Sequence, residues 1–151
     1  MTHAILFVCL GNICRSPSAE AVFRKLAGQA GLAVTVDSAG TGGWHAGEPP
    51  HPPMIAAAKA RGYDLSTLRA RQIRPDDFSR FDRIFVMDQR NLRDVQALWP
   101  GHGPKPELLL SLAPELGRDE VPDPWYTGEF DLTIDLCEAA SRALVGQLRA
   151  Q

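Results

Sequence analysis

One cysteine and one arginine near the amino terminus have the residue types that phosphate chemistry needs. Cys9 and Arg15 are separated by five residues, and Ser16 follows the arginine. The five intervening residues are Leu10, Gly11, Asn12, Ile13 and Cys14. A thiolate is a strong nucleophile, and a guanidinium group can bind two oxygens of one phosphate. The spacing alone is weak evidence, because such a pair also arises by chance.

The segments on either side of this loop give it a structural context. Residues 4–8 are continuously apolar, which is typical of a strand buried on both faces. Ser16 is a good helix N-cap and Pro17 suits the first helical position. The sequence therefore predicts a strand, a loop and then a helix that begins at Ser16 and Pro17.

A loop between a strand and a helix start can bind an anion. Gly11 and Asn12 can adopt positive φ angles, so consecutive backbone N–H groups can surround one phosphate. The same positive field would hold Cys9 as a thiolate, and Arg15 would bind two phosphate oxygens. The alternatives are that Cys9 is a small buried apolar residue and that Arg15 pairs with Glu20 on the surface.

A thiolate that displaces an alcohol needs an acid to protonate the leaving oxygen. Asp123 lies between two prolines, which restrict its backbone, and within residues 107–138, where nine acidic residues accompany one arginine. Like charges favour a protonated carboxyl group, so Asp123 is the predicted acid, although Asp-Pro can also be a simple turn. The four histidines have no metal-type spacing and are interpreted as surface or loop residues. They are His3, His45, His51 and His102.

The rest of the chain alternates between strand and helix patterns. Strands are predicted near residues 34–38, 84–87 and 108–110, and Pro- and Gly-rich loops at residues 40–53 and 114–128. Helices are predicted at residues 17–30, 54–61, 89–98 and 131–149, with a short one after Pro75. This order predicts an α/β fold, with a doubly wound parallel sheet and helices on both faces. Such sheets bind ligands at the carboxyl ends of their strands.

Three aromatic residues fall in the two long loops. Trp44 lies in the first loop, and Trp125 and Tyr126 follow Asp123 in the second. Both loops should rise at the carboxyl edge of the sheet, so we predict that the aromatics form the walls of the substrate site. Ordinary packing under a loop is the alternative.

Composition limits the classes of protein. The 151 residues, 44% hydrophobic and 23% charged, fit a single domain spanning 1–151. The net charge of −2 argues against a nucleic-acid binder, and no apolar run approaches the roughly 20 residues of a membrane helix. No signal-peptide pattern begins the chain, so a cytoplasmic location is expected. We also expect a monomer.

Several motifs together resemble those of the low-molecular-weight protein tyrosine phosphatases, over essentially the whole chain. They are Cys9 to Ser16 continuing to Pro17, Asp37-Ser38, Met87-Asp88, Asn91-Leu92-Arg93-Asp94 and Asp123-Pro124-Trp125. The resemblance implies a four-stranded parallel sheet of order 2-1-3-4, phosphotyrosine protein substrates, a phosphocysteine intermediate, and neither metal nor cofactor.

The resemblance also implies a role for each matching residue. Cys9 would be the nucleophile, Arg15 the phosphate clamp, and Asp123 the acid and then the base. Asn12, Ser16 and Ser38 would form a polar shell that holds the loop. One departure is Leu68, which stands where animal members carry a histidine of that shell.

Two other functions remain open from the sequence. An arsenate reductase shares this fold and loop but needs a thiol relay outside the loop, and Cys137 in the last helix is the only cysteine outside it. A phosphate-binding module without catalysis would not need Asp123.

Cys14 is predicted to be a redox partner of Cys9. An accessible thiolate is the first target of peroxide, and a tightly curled loop could bring the two residues within disulfide distance. The alternative is that Cys14 is a plain loop residue pointing into the fold.

Overall fold

The computed structural model describes residues 2–151. It contains four strands, which are β1 (His3–Cys9), β2 (Val34–Gly40), β3 (Arg83–Val86) and β4 (Pro106–Leu108). The helices are α1 (Arg15–Gln29), α2 (Pro52–Ala60), α3 (Asp77–Arg80), α4 (Gln89–Leu98), α5 (Pro124–Thr127) and α6 (Phe130–Arg149). Two short 3₁₀ helices, Leu109–Leu112 and Pro114–Leu116, follow β4.

The four strands form one parallel sheet in the order β2-β1-β3-β4. Val8 in β1 is in register with Ala39 in β2 and with Val86 in β3. The carboxyl ends of these three strands therefore meet at one edge of the sheet. Strand β1 lies between β2, which follows it in the chain, and β3, which comes after α2 and α3. This confirms the predicted fold class and the strand order that the resemblance implied.

Strand β1 forms because both of its faces are buried. Ile5 and Phe7 point to one side, where they join the core beneath α1 and α6. Leu6 and Val8 point to the other side, where they pack with Val95 of α4. Each such side chain contributes about 1.5–3 kcal/mol on burial, so the strand that ends at Cys9 is held firmly from both sides.

The first helix differs from the prediction at its start. Helix α1 begins at Arg15, its N-cap is Cys14, and no side chain caps it. Ser16 lies inside the helix because its hydroxyl group is hydrogen-bonded to Cys9 and Asn12 instead. The prediction that Ser16 is the N-cap was wrong, since a preference for caps was outweighed by contacts with residues of the preceding loop.

Two further segments differ from the prediction. Strand β4 ends at Leu108, and Leu109 and Leu110 belong to a 3₁₀ helix in which both are buried. Their apolar character reflects burial in the core and does not mark a strand. The predicted loop at residues 114–128 contains helix α5, for which Asp123 is the N-cap and accepts from the N–H of Trp125 at 3.1 Å.

Candidate active site

The loop between β1 and α1 packs directly against the end of β2. The N–H of Thr41 donates to the carbonyl of Cys9 at 2.8 Å, and that of Gly42 to the carbonyl of Leu10 at 3.0 Å. A Cβ atom on Gly40 would lie 2.8 Å from the Leu10 oxygen. Only glycine allows this close approach, which seats the loop on the sheet.

The sulfur of Cys9 lies at the floor of the loop. The residue is 3% exposed, its Sγ is 3.1 Å from Ser16 Oγ, and the N–H of Asn12 donates to it at 3.3 Å. The backbone of Asn12 and the hydroxyl group of Ser16 therefore hold the sulfur in a fixed position.

Asn12 fixes the shape of the loop. Its φ angle is 58°, which makes it the only non-glycine residue among residues 2–151 with a positive φ. Its side-chain amide donates to Ser16 Oγ at 2.8 Å and to Ser38 Oγ at 2.9 Å, and it accepts from the N–H of Arg71 at 3.0 Å. These bonds offset the cost of the left-handed conformation, about 1–3 kcal/mol. Gly11 does not adopt a positive φ, so that part of the prediction was wrong.

Glu20 supports the polar shell from behind, and the sequence did not indicate this role. It is buried, accepts from Ser38 Oγ at 2.6 Å and pairs with Arg24 at 2.5 Å. The four-residue spacing of Glu20 and Arg24 was the available signal. The alternative pairing of Glu20 with Arg15 does not occur.

Arg15 joins the loop to two other segments. Its Nη1 donates to Asp88 Oδ2 at 2.7 Å and to the Val121 carbonyl at 3.1 Å, and its Nη2 lies 3.5 Å from Asp123 Oδ2. Burial acts to lower the pKa of Arg15, but Cys9 and the two carboxylates outweigh it and raise that pKa above its ordinary value. The guanidinium is thus charged, 3% exposed and oriented in advance.

Asp88 was not singled out as a site residue from the sequence. It also caps helix α4, where its Oδ1 accepts from the N–H of Asn91 at 2.7 Å. An aspartate between a buried strand and a helix is an ordinary cap, so its second contact with Arg15 had no separate sequence signal.

Asp123 lies beside the loop on the opposite side from Ser38. The N–H of Val121 donates to the carbonyl of Met87 at 2.8 Å, which attaches the acid-bearing segment to the end of β3. The side chain of Asp123 is 25% exposed and faces the Arg15 guanidinium. The charge that contacts it is therefore opposite, whereas the sequence pointed only to like charges nearby.

These groups open into a pocket of about 240 Å³. Cys9, Arg15 and Asp123 line it together with most of the loop, and the predicted wall residues Trp44, Trp125 and Tyr126 line its mouth. The three aromatics are 65%, 52% and 79% exposed, so they do not pack under a loop.

His45 is a further wall residue that the sequence interpretation missed. It lines the pocket, its Nδ1 is 2.6 Å from Glu48 Oε2, and its ring lies 6.5 Å from that of Trp125. His51 also packs against Trp125, with ring centroids 4.6 Å apart. An isolated histidine beside tryptophan in a glycine-rich loop gave too little pattern to predict this.

Comparison with known proteins agrees with this geometry. The sequence matches the family described as "Low molecular weight phosphotyrosine protein phosphatase" over residues 4–151. The chain belongs to this family. A low molecular weight protein-tyrosine-phosphatase of Streptomyces coelicolor is 44% identical, with 100% of this chain and 96% of the relative covered. The human low molecular weight phosphotyrosine protein phosphatase is 40% identical, with 95% and 94% covered.

The fold of the phosphatase agrees equally well with a solved structure. The crystal structure of YfkJ from Bacillus subtilis superposes with a TM-score of 0.93 at 36% identity, covering 99% of this chain and 96% of that one. The protein is accordingly a protein tyrosine phosphatase.

The other two thiols of the phosphatase are buried. Cys14 is 4% exposed, and burial, with Cys9 and Asp123 nearby, raises its pKa to about 12. Burial also raises the pKa of Cys137 in α6 to about 12. Both thiols therefore stay protonated at neutral pH.

Leu68 is accommodated without a polar replacement. It is half-buried against the core beneath α1 and α6, and the side-chain oxygen of Asn12 accepts from the backbone of Arg71. The backbone thus completes the polar shell of this phosphatase.

The part of the chain that the structure describes contains neither a membrane-spanning helix nor a metal-type cluster. None of the helices within residues 2–151 is both long enough and apolar enough to cross a membrane. Within the same residues, no cluster of three or more histidine, cysteine or carboxylate side chains is arranged to hold a metal ion.

Proposed function

We propose that the phosphatase hydrolyses phosphotyrosine through a phosphocysteine intermediate formed on Cys9. The observation that supports it is that Cys9 and Arg15, at the two ends of the loop after β1, line one pocket together with Asp123 from the segment that follows β4. A nucleophile, a cation and a carboxyl group around one cavity are the groups that a two-step phosphoryl transfer needs.

In the first step, the Cys9 thiolate attacks phosphorus in line with the phenolic oxygen. The S–P bond forms as the P–O bond breaks, and the carboxyl group of Asp123 gives its proton to the leaving phenolate. The products are tyrosine, phosphocysteine and the Asp123 carboxylate.

In the second step, water attacks the phosphocysteine. The Asp123 carboxylate takes a proton from that water, the S–P bond breaks, and Cys9 returns as a thiolate. Inorganic phosphate leaves, and the protonated Asp123 is ready for another cycle.

Charge on the phosphoryl group is balanced by fixed donors in both steps. Arg15 binds two equatorial oxygens, and backbone N–H groups of Leu10, Gly11, Asn12, Ile13, Cys14 and Ser16 surround the anion. Asn12, Ser16 and Ser38 hold these donors in position, so little reorganisation accompanies the reaction. Donors that are already oriented stabilise the transition state most.

The aromatic mouth should favour aryl phosphates over alkyl phosphates. A phenol ring between Trp44 and Trp125 would span the depth from the mouth to the Cys9 sulfur. A phosphoserine side chain lacks that length, so its phosphorus would stop short of in-line attack.

The decisive experiment traps the intermediate. The protein is mixed rapidly with ³²P-labelled phosphotyrosine peptide in EDTA and quenched in acid, and the labelled peptide is identified by mass spectrometry. We expect label on Cys9, a burst of product and inhibition by vanadate. Turnover without label on any cysteine would contradict the proposal, and Cys9→Ser serves as the unlabelled control.

A further inference from the structure

A second segment, residues 70–73, holds the active-site loop from the side of β2. Within it the N–H of Arg71 donates to Asn12, and the N–H of Gly40 donates to the carbonyl of Arg71 at 2.8 Å. The N–H of Ile73 donates to the carbonyl of Gly40 at 2.8 Å. We call residues 70–73 the strap, because they tie the loop to the end of β2.

The strap also holds the substrate wall. The N–H of Ala70 donates to the carbonyl of Glu48 at 2.9 Å, and the N–H of Gly47 donates to the carbonyl of Ala70 at 2.8 Å. The side chain of Gln72 donates to the Thr41 carbonyl at 3.1 Å. One short segment therefore contacts both the loop that surrounds the phosphate and the loop that carries Trp44.

The side chain of Arg71 fixes the strap to a buried anion. Its Nη1 and Nη2 each donate to one oxygen of Asp77 at 3.0 Å, and its Nε donates to Asp37 Oδ2 at 3.0 Å. Asp77 is fully buried and also accepts from the N–H of Arg74 at 2.8 Å. A buried carboxylate is strongly unfavourable without a partner. Arg71 binds both Asp77 oxygens, whereas Arg80 lies 3.5 Å from one of them, so the pair with Asp77 favours one position for Arg71.

We propose that Arg71 is a positioning residue for phosphate binding, acting through Asn12. The ion pairs with Asp77 and Asp37 set the position of the Arg71 backbone, whose N–H holds the Asn12 side chain. Asn12 in turn keeps the left-handed turn that directs the loop donors at the phosphate. This rests on the proposed function, in which residues 9–16 bind the phosphoryl group.

The test compares Arg71→Met with Arg83→Met. Arg83 is a matched control, because it is equally exposed and forms a two-bond ion pair with Glu107 at the opposite edge of the sheet. Each variant is assayed below its melting temperature for kcat, KM and competitive inhibition by inorganic phosphate.

We expect Arg71→Met to weaken phosphate inhibition and lower kcat by about tenfold or more, because displaced donors act poorly on the transition state. Arg83→Met should lose thermal stability and keep phosphate inhibition within about twofold of the unmodified protein. A folded Arg71→Met variant with unchanged phosphate inhibition and kcat overturns the proposal. If Arg71→Met does not fold, the Arg71→Lys variant is used instead, because a lysine cannot bind both Asp77 oxygens. Arg71→Lys should weaken inhibition by phosphate about threefold. Unchanged phosphate inhibition in this variant overturns the proposal.

A double-mutant cycle tests the route through Asn12. In an Asn12→Ala background, Arg71→Met should add little further loss, because the contact it controls is already absent. Fully additive losses would overturn the route. Absence of phosphate inhibition in the unmodified protein would instead contradict the proposed function itself, so the two failures are distinguishable.

Discussion

The floor of the pocket and its mouth are built in opposite ways. At the floor, Cys9 and Arg15 are almost completely buried, and the side chain of Asn12 is hydrogen-bonded to three partners. At the mouth, Trp125 and Tyr126 are among the most exposed apolar side chains of residues 2–151. The floor is held by hydrogen bonds between segments, whereas the mouth is shaped by exposed aromatic side chains that pack against the rings of His45 and His51.

This difference separates two kinds of requirement. Phosphoryl transfer needs donors fixed to a fraction of an ångström, which a buried hydrogen-bonded network provides. Recognition of different phosphotyrosine proteins needs apolar area that adapts to a ring and its flanking residues. Changes at the floor should therefore act on kcat, and changes at the mouth on selectivity.

The largest effect should come from the floor itself. Cys9→Ser should reduce turnover to background, because a serine hydroxyl has no comparable ionised fraction and forms no phosphocysteine. Release of phenol from an aryl phosphate measures this, and circular dichroism confirms the fold. Measurable burst kinetics in this variant would remove Cys9 from the nucleophile role.

Asp123 lies between floor and mouth, and its substitution should have the next largest effect. Asp123→Asn should lower kcat on phosphotyrosine by about 10²- to 10⁴-fold, the usual contribution of a general acid. The loss should shrink for substrates with good leaving groups. Asp119→Asn, an exposed acid of the same loop, is the control. Retention of more than half of the activity would mean that another carboxylate is the acid.

The mouth should affect selectivity more modestly. Trp44→Ala should reduce kcat/KM for a phosphotyrosine peptide by about 2- to 10-fold, from the loss of one aromatic contact. The unmodified protein should prefer phosphotyrosine to phosphoserine peptides by at least about 10³-fold. Only a phenol ring is long enough to place the phosphorus next to the Cys9 sulfur. Trp99→Ala, an indole beside Lys105 and outside the pocket lining, is the control. If the preference for phosphotyrosine is below about tenfold, the protein is better described as a general phosphomonoesterase.

The smallest expected effect concerns recovery from oxidation. Peroxide should convert Cys9 to the sulfenic acid, and the Cys14 thiol should then displace water from that sulfur to form a disulfide. Cys14→Ser should thus recover less activity on reduction than the unmodified protein. Peptide mapping checks the link: sulfinic acid at Cys9 without linked peptides in the unmodified protein would contradict this prediction.

The sequence predicted what local patterns encode. Apolar patterns and the positions of proline and glycine predicted the strand before Cys9, the helix at Gln89–Leu98 and the parallel sheet. The partners of Arg15 did not follow, because Asp88 and Val121 come from segments more than 70 residues away. The contacts of Glu20 with Ser38 and of Arg71 with Asn12 join different elements over 18 and 59 residues, so no local pattern indicated them either. The single domain spanning 1–151 stays a prediction.

The contacts of Arg15 also determine when the site can exist. Its bond to the Val121 carbonyl joins residues 106 positions apart in the chain, and its bond to Asp88 joins residues 73 apart. Contacts at such separation close long loops, and the conformational entropy of that closure opposes them until the rest of the fold stabilises them. In a nascent chain that contains Cys9 but not yet residues 121–123, the Arg15 guanidinium would lack its bond to the Val121 carbonyl, and the acid Asp123 would be missing. Catalytic activity should thus emerge only after Val121 and Asp123 have been synthesised and have packed against Arg15.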